Sequence, residues 1–149
     1  MQLDWKIKRF DELSAAELYQ VLRLRSEVFV VEQNCVYQDV DGKDNNAIHL
    51  IGNYGDEIVA YARLFGPGDY FDTPSIGRVV VAMKYRERKW GHVLMRVAID
   101  AVRSNFNDTA ITISAQSYLK KFYMQHGFIQ IGNEYLEDGI PHIRMVAEF

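Results

Sequence analysis

A chain of 149 residues, 48% apolar and 13% aromatic, is long enough for one domain with a sizeable core and too short for two comfortable ones. Its net charge of −3, from 17 basic and 20 acidic residues, is a poor match for a nucleic-acid backbone, so any basic site must be local. The single cysteine, Cys35, excludes an internal disulfide and a cysteine-built zinc site, and it fits a reducing compartment.

The N-terminal segment MQLDWKIKRFDELSAAEL holds no apolar stretch of signal-peptide length, and no later span reaches membrane length. The expectation is one cytoplasmic domain over residues 1–149, with neither membrane nor nucleic-acid partners. Leu3, Trp5 and Ile7 alternate with Asp4, Lys6 and Lys8, which predicts a half-buried strand. Ser14 and Glu17 form a capping-box pattern, and the apolar spacing that follows predicts a helix over 14–28. Residues 32–47 are polar and carry Asp39, Asp41 and Asp44, a long loop of the kind that often serves function. Two strand-like runs, 49–54 and 57–65, flank Gly55-Asp56, a Gly-first hairpin signal.

The valine-rich run 76–83 predicts a strand buried on both faces. An amphipathic helix ends near Asn105, and a short strand follows over 110–114. Ser117 can cap a helix running to His126, with Gly127 as its left-handed stop. Runs 128–134 and 142–149 close the chain as strands around the turn EDGIP. The order predicts an α/β (α+β) domain, a mixed sheet flanked by helices with a central parallel β-α-β unit. Ligands bind such units at the carboxyl end of the strands.

That end is the segment VVVAMKYRERKWGHVLMRVAI, Val79 to Ile99. Lys84, Arg86, Arg88 and Lys89 lie in one turn before a helix N-terminus, where unpaired N–H groups and the helix dipole attract anions. Gly91 allows close backbone approach. The alternatives on chemistry alone are a solvated charged loop and a site for a diphosphate-bearing small molecule; a DNA-reading surface would need a wider basic face.

The same segment resembles the coenzyme A-binding motif of the GCN5-related N-acetyltransferases (GNAT), Arg/Gln-x-x-Gly-x-Gly/Ala after a buried strand. Arg86 and Gly91 match its first and last positions, and Lys89 stands where the middle glycine is usual. SAQSYLKKFYMQHGFIQIG is similar to the family's next block. LRSEVFVVEQNCVYQDVDGKD, IGRVVV and YLEDGIPHIRM resemble the ElaA-type branch over nearly the whole chain. The LR-E-VFV opening is loosely similar to acyl-homoserine-lactone synthases, which are longer.

The resemblance implies a GNAT-like, mostly antiparallel sheet and transfer of an acetyl group from acetyl-coenzyme A directly to a primary amine, small or peptidyl, with no metal. It implies that Val79, Val80 and Val81 pair with the pantetheine arm. Arg86, Arg88, Lys89, Trp90, Gly91 and His92 would surround the pyrophosphate, mainly through backbone N–H groups. Trp90's side chain reads equally as a core anchor. Tyr123 aligns with the general-acid tyrosine. For the general base, Glu32 and His142 are the leading candidates, with His49 a third and a structural role its alternative. Arg78 interrupts an apolar strand and needs an acid such as Glu32 if buried, or else binds the acceptor. The acids Asp39, Asp41, Asp44, Glu137 and Asp138 attract a cationic acceptor or are solvated turn formers. A non-catalytic acyl-coenzyme A-binding module is the competing function. Oligomeric state stays open, with a homodimer through the closing strands as one form.

Overall fold

In the computed structural model, which describes residues 2–149, the alternating N-terminal segment is β1 (Asp4–Arg9), paired antiparallel with β2 (Ile48–Tyr54). β2 and β3 (Glu57–Phe65) form the expected hairpin. Of its two central residues only Gly55 has positive φ, +62°, as a Gly-first turn requires. β3 pairs next with β4 (Ser75–Val81), and β4 meets β5 (Ala110–Gln116) in parallel. β5 pairs with β7 (Ile140–Glu148), and β7 with the outermost strand, β6 (Ile129–Glu137). The order is β1-β2-β3-β4-β5-β7-β6, antiparallel everywhere except at β4–β5. This is the mixed α/β sheet and central β-α-β unit that the element order predicts.

Leu50 and Ile51 are adjacent in β2 and point to opposite faces, so they mark two cores. On one face α1 (Ala15–Arg25) packs Val21 and Leu24 against Ile51, Ile58, Tyr61 and Val80. Its start is the predicted capping box: Glu17 N–H donates to Ser14 Oγ at 3.1 Å, and Ser14 N–H donates to Glu17 Oε1 at 3.0 Å. On the other face α2 (Trp90–Phe106) sets Leu94, Met95, Ala98 and Val102 against Leu50, Val59, Leu64, Ile111 and Met145. No helix among the described residues is long and apolar enough to cross a membrane.

Three local readings change. The first helix is α-helical only to Arg25, and Ser26–Glu32 continues it as a π-helix, whose wider turns re-aim Val28, Phe29 and Glu32. β3 is buried without a break from Ile58 to Phe65, whereas β4 is buried on both faces at Ile76, Val80 and Val81 but partly exposed at Gly77, Arg78 and Val79. Ser117 caps nothing: its residue opens a 3-10 turn, its Oγ is buried without a partner, and α3 spans only Lys120–Met124. Gly127 has the expected left-handed φ, +93°.

The feature that makes a site is the fork between β4 and β5. They share one register pair, Ser75↔Thr112, fastened by Thr112 N–H donating to the Pro74 carbonyl at 3.0 Å. Beyond it β4 carries a bulge. Tyr61 and Arg63 of β3 sit opposite Val80 and Gly77, with Arg78 in the left-handed region at φ +49°. That conformation costs a non-glycine residue about 1–2 kcal/mol.

Candidate active site

The fork opens a cleft of about 360 Å³, lined along β4 from Ser75 to Val81 and along β5 by Ile113, Ser114 and Gln116. Past Ser75 the β5-facing edge of β4 has no strand partner. Its backbone groups at Val79–Val81 can therefore pair with the amides of an extended ligand as a strand would. The π-helix supplies Val28, Phe29, Glu32 and Gln33 to the same cleft. The chain after it crosses the open strand ends. The side-chain amides of Gln33 and Gln116 bond each other at 3.3 Å, and Cys35 Sγ donates to the Asp138 carbonyl at 3.3 Å.

At one end lies the basic turn, a 3-10 helix over Met83–Arg88 leading into α2. The first-turn N–H groups of α2 lack intrahelical acceptors. His92 N–H is taken by the Lys89 carbonyl at 3.3 Å, which leaves those of Trp90 and Gly91 for an anion. Lys89 occupies the left-handed region, φ 57° and ψ 30°, a conformation that glycine adopts without strain. A Cβ on Gly91 would only touch the Phe122 ring at 3.5 Å, which accounts for a motif that accepts alanine there.

The side chains of this turn are dispersed. Arg86 donates through both terminal nitrogens to Glu32, at 2.5 and 2.9 Å, and through Nε to the Val81 carbonyl at 3.1 Å. Arg88 lies over Tyr54, Tyr85 and Trp90. Trp90 is buried in the α2 core, the anchor alternative. His92 Nδ1 is 2.9 Å from His126 Nε2, and its ring packs on Phe122. Burial, with His92 and Arg96 added, lowers the His126 pKa.

Further along the cleft, Tyr123 and His142 face one cavity. Tyr123 is 7% exposed; burial, and secondarily Tyr118, push its hydroxyl pKa up, so it stays a protonated donor. His142 sits in β7 between Gln116 of β5 and Tyr135 of β6. Its Nδ1 donates to the Ile140 carbonyl at 2.7 Å, which leaves Nε2 as the free ring nitrogen, 3.4 Å from Glu137 Oε2. Glu32 lines the cleft too, but its carboxylate is held by Arg86. His49 is fully buried, bonded to the Tyr61 hydroxyl at 2.6 Å and the Asp44 carbonyl at 2.8 Å, and it does not line the cleft. It is the structural histidine.

The acids of the long loop are neither solvated nor free. Arg25 binds Asp39 at 2.9 Å and Asp44 at 2.7 Å; Arg63 binds Asp44 at 3.0 Å and Asp41 at 2.9 Å. Arg78 closes the circle on Asp41 at 3.5 Å and Asp39 at 2.7 Å. Three arginines and three aspartates thus alternate in a closed ring. Arg78's partners are these aspartates and not Glu32, and they hold the strained bulge residue in place. Nothing local in the sequence signals the ring, because the Arg78–Asp39 contact joins residues 39 positions apart. Ser114 and Tyr135, which the sequence does not single out, meet through their hydroxyls beside Glu137.

The chain matches the acetyltransferase (GNAT) domain family over residues 12–149. It is 42% identical to protein ElaA of Escherichia coli over 98% of this chain and 97% of that protein. The crystal structure of E. coli ElaA superposes with a TM-score of 0.90 at 41% identity, covering 98% of this chain and 99% of that one. That of an acyl-CoA N-acyltransferase from Pseudomonas aeruginosa gives 0.92 at 42% identity, covering 97% and 99%. A CoA-dependent acyl-homoserine lactone synthase shares the fold alone, with a TM-score of 0.77 at 16% identity over 99% of this chain and 82% of that one. The chain belongs to the ElaA-type branch of the GCN5-related N-acetyltransferases, a superfamily of acyl-coenzyme A-dependent acyltransferases.

Proposed function

We propose that this protein transfers an acetyl group from acetyl-coenzyme A to a primary amine, with no covalent acyl-enzyme. The observation that carries the reading is the fork, whose free β4 edge runs from the α2 N-terminus, with the N–H groups of Trp90 and Gly91 unpaired, to a cavity shared by Tyr123 and His142. The pantetheine arm belongs along Val79, Val80 and Val81. The pyrophosphate belongs at the N–H groups of Trp90 and Gly91, with Arg86, Arg88, Lys89 and His92 around it. The bound cosubstrate supplies an activated thioester carbonyl.

The chain's own groups do the remaining work. A backbone N–H on the free β4 edge receives the developing oxyanion. His142 Nε2 takes a proton from the acceptor ammonium, whose pKa near 10.4 keeps it protonated at neutral pH. Glu32, already bonded to Arg86, is the poorer base. The Tyr123 hydroxyl gives its proton to the leaving sulfur. A buried tyrosine suits this task because its proton is not lost to water.

The test is release of coenzyme A from acetyl-coenzyme A in the presence of amines, with Tyr123→Phe as the comparison. Phenylalanine keeps the packing and removes the proton, so kcat should fall about a hundredfold or more while acetyl-coenzyme A binds as before. Tight binding without turnover, unchanged by Tyr123→Phe, would identify a non-catalytic acyl-coenzyme A-binding module instead.

A further inference from the structure

At the acceptor end of the cleft two hydrogen-bond acceptors converge. His142 Nδ1 must carry hydrogen, because the Ile140 oxygen 2.7 Å away can only accept. With no second proton on the ring, Nε2 aims a lone pair toward Glu137 Oε2, 3.4 Å away. Such a pair repels unless a proton or a cationic donor is shared between the two.

Glu137 is held in place for this contact. Its Oε1 accepts from Ser114 Oγ at 3.1 Å, Ser114 also meets the Tyr135 hydroxyl, and the Tyr135 ring stacks on His142. The turn after Glu137 is the tight Asp138-Gly139 type, with φ of +53° and +76°, which pairs Glu137 with Ile140 at the cleft edge.

The other charges lining the cleft already have partners of opposite sign. Arg63 and Arg78 belong to the aspartate ring, and Arg86 is on Glu32. Among the described residues, Glu137 and Asp138 are the cleft acids that no lysine or arginine neutralises, and no cleft arginine lacks a carboxylate partner. A cationic group is therefore welcome there, and an acceptor carboxylate would find no guanidinium to receive it.

We propose that Glu137, together with His142 Nε2, receives the acceptor's ammonium group, and that the acceptor is a cationic amine bearing no carboxylate near it. The proposal rests on the acetyltransferase reading above. The ammonium donates one N–H to Glu137 and passes one proton to Nε2; the imidazolium formed stays paired with Glu137, and the nitrogen keeps a lone pair for attack.

The experiment compares pentylamine, 1,5-diaminopentane and 6-aminohexanoate as acceptors for the whole protein with acetyl-coenzyme A. The two carboxylate-free amines should exceed 6-aminohexanoate at least tenfold in kcat/KM. Glu137→Gln should raise the KM for pentylamine about tenfold, narrow its advantage over 6-aminohexanoate to under threefold, and leave acetyl-coenzyme A affinity unchanged. Glu137→Asp, which keeps the charge, should restore part of the preference. Equal use of 6-aminohexanoate by the wild type, or a Glu137→Gln enzyme with unaltered amine KM, overturns this proposal and leaves the acetyltransferase reading standing. Binding of acetyl-coenzyme A with no turnover of any amine overturns both.

Discussion

Two groups of charged side chains border the cleft, and they resemble each other in sequence more than in capacity. Beside the β4 bulge, each aspartate of the ring touches two guanidinium groups and each guanidinium touches two carboxylates. At the basic turn, Arg86 and Lys84 have one acid each, Arg88 lies on aromatic rings, and Lys89 enters no ion pair among the described residues. The closed ring has no valence left for a ligand, whereas at the open turn Arg88, Lys89 and the helix N–H groups have no acid partner. Charge count therefore does not separate the two groups; the state of pairing does.

The comparison breaks first at Asp44, which is 7% exposed and serves both Arg25 and Arg63. Removing one partner of a buried ion pair costs about 3–5 kcal/mol, because the remaining charge is stranded. Asp44→Asn should accordingly lower the melting temperature by roughly 10 °C in a thermal unfolding scan. Arg86→Ala, at the open end and half-exposed, should change stability by less than about 1 kcal/mol and act instead on acetyl-coenzyme A affinity. If Asp44→Asn spares stability and abolishes amine turnover, the ring belongs to the site and the contrast is wrong.

A smaller effect comes from acid. Burial alone would raise the Asp41 carboxyl, but the hydrogen bonds from Arg63 outweigh it and bring it from 3.8 down to about 2. Asp44 is opposed by burial in the same way and is held below the ordinary range by Arg25 and then Arg63. Both groups are more acidic folded than unfolded. The Asp41 contribution is thus present above its ordinary value of 3.8 and is lost as pH falls toward about 2, and that of Asp44 is lost in the same direction. Denaturation midpoints measured from pH 6 to pH 2 should fall steeply in that window for the wild type. Asp41→Asn should start lower and fall less; parallel curves would remove Asp41 from the ring's energetics.

What could be read from the sequence divides along the same line. Features set by neighbours in the chain were legible: the Ser14–Glu17 box, the Gly55 turn, the apolar face of α2 and the left-handed Gly127. So was the basic turn ahead of α2, because a run of basic residues just before a helix start is a local pattern. Features set by distant partners were not. Asp39, Asp41 and Asp44 look like ordinary turn acids until Arg25, Arg63 and Arg78 arrive from α1, β3 and β4. Arg78 required an acid such as Glu32, but its partner is Asp39, and Glu32 is taken by Arg86. The valines of β4 suggested a buried strand because sequence does not record that β5 turns away after one register pair. Glu137 carried no signal apart from the other loop acids, since its distinction is to lie opposite His142.

Lys89 tests the open end most finely. Its φ of 57° and ψ of 30° cost a side-chain-bearing residue about 1–2 kcal/mol. Glycine would relieve that strain and return about 0.5–1 kcal/mol of it as unfolded-state entropy. Lys89→Gly should therefore stabilise the protein by somewhat under about 1 kcal/mol, a rise of roughly 2 °C in melting temperature. Acetyl-coenzyme A affinity should stay within about threefold, because the backbone conformation that exposes the Trp90 and Gly91 N–H groups is the same with either residue. A large loss of affinity in a more stable protein would move the binding from those N–H groups to the ammonium. Lysine at this position would then be a strained residue retained for its charge, and the open turn would bind through side chains after all.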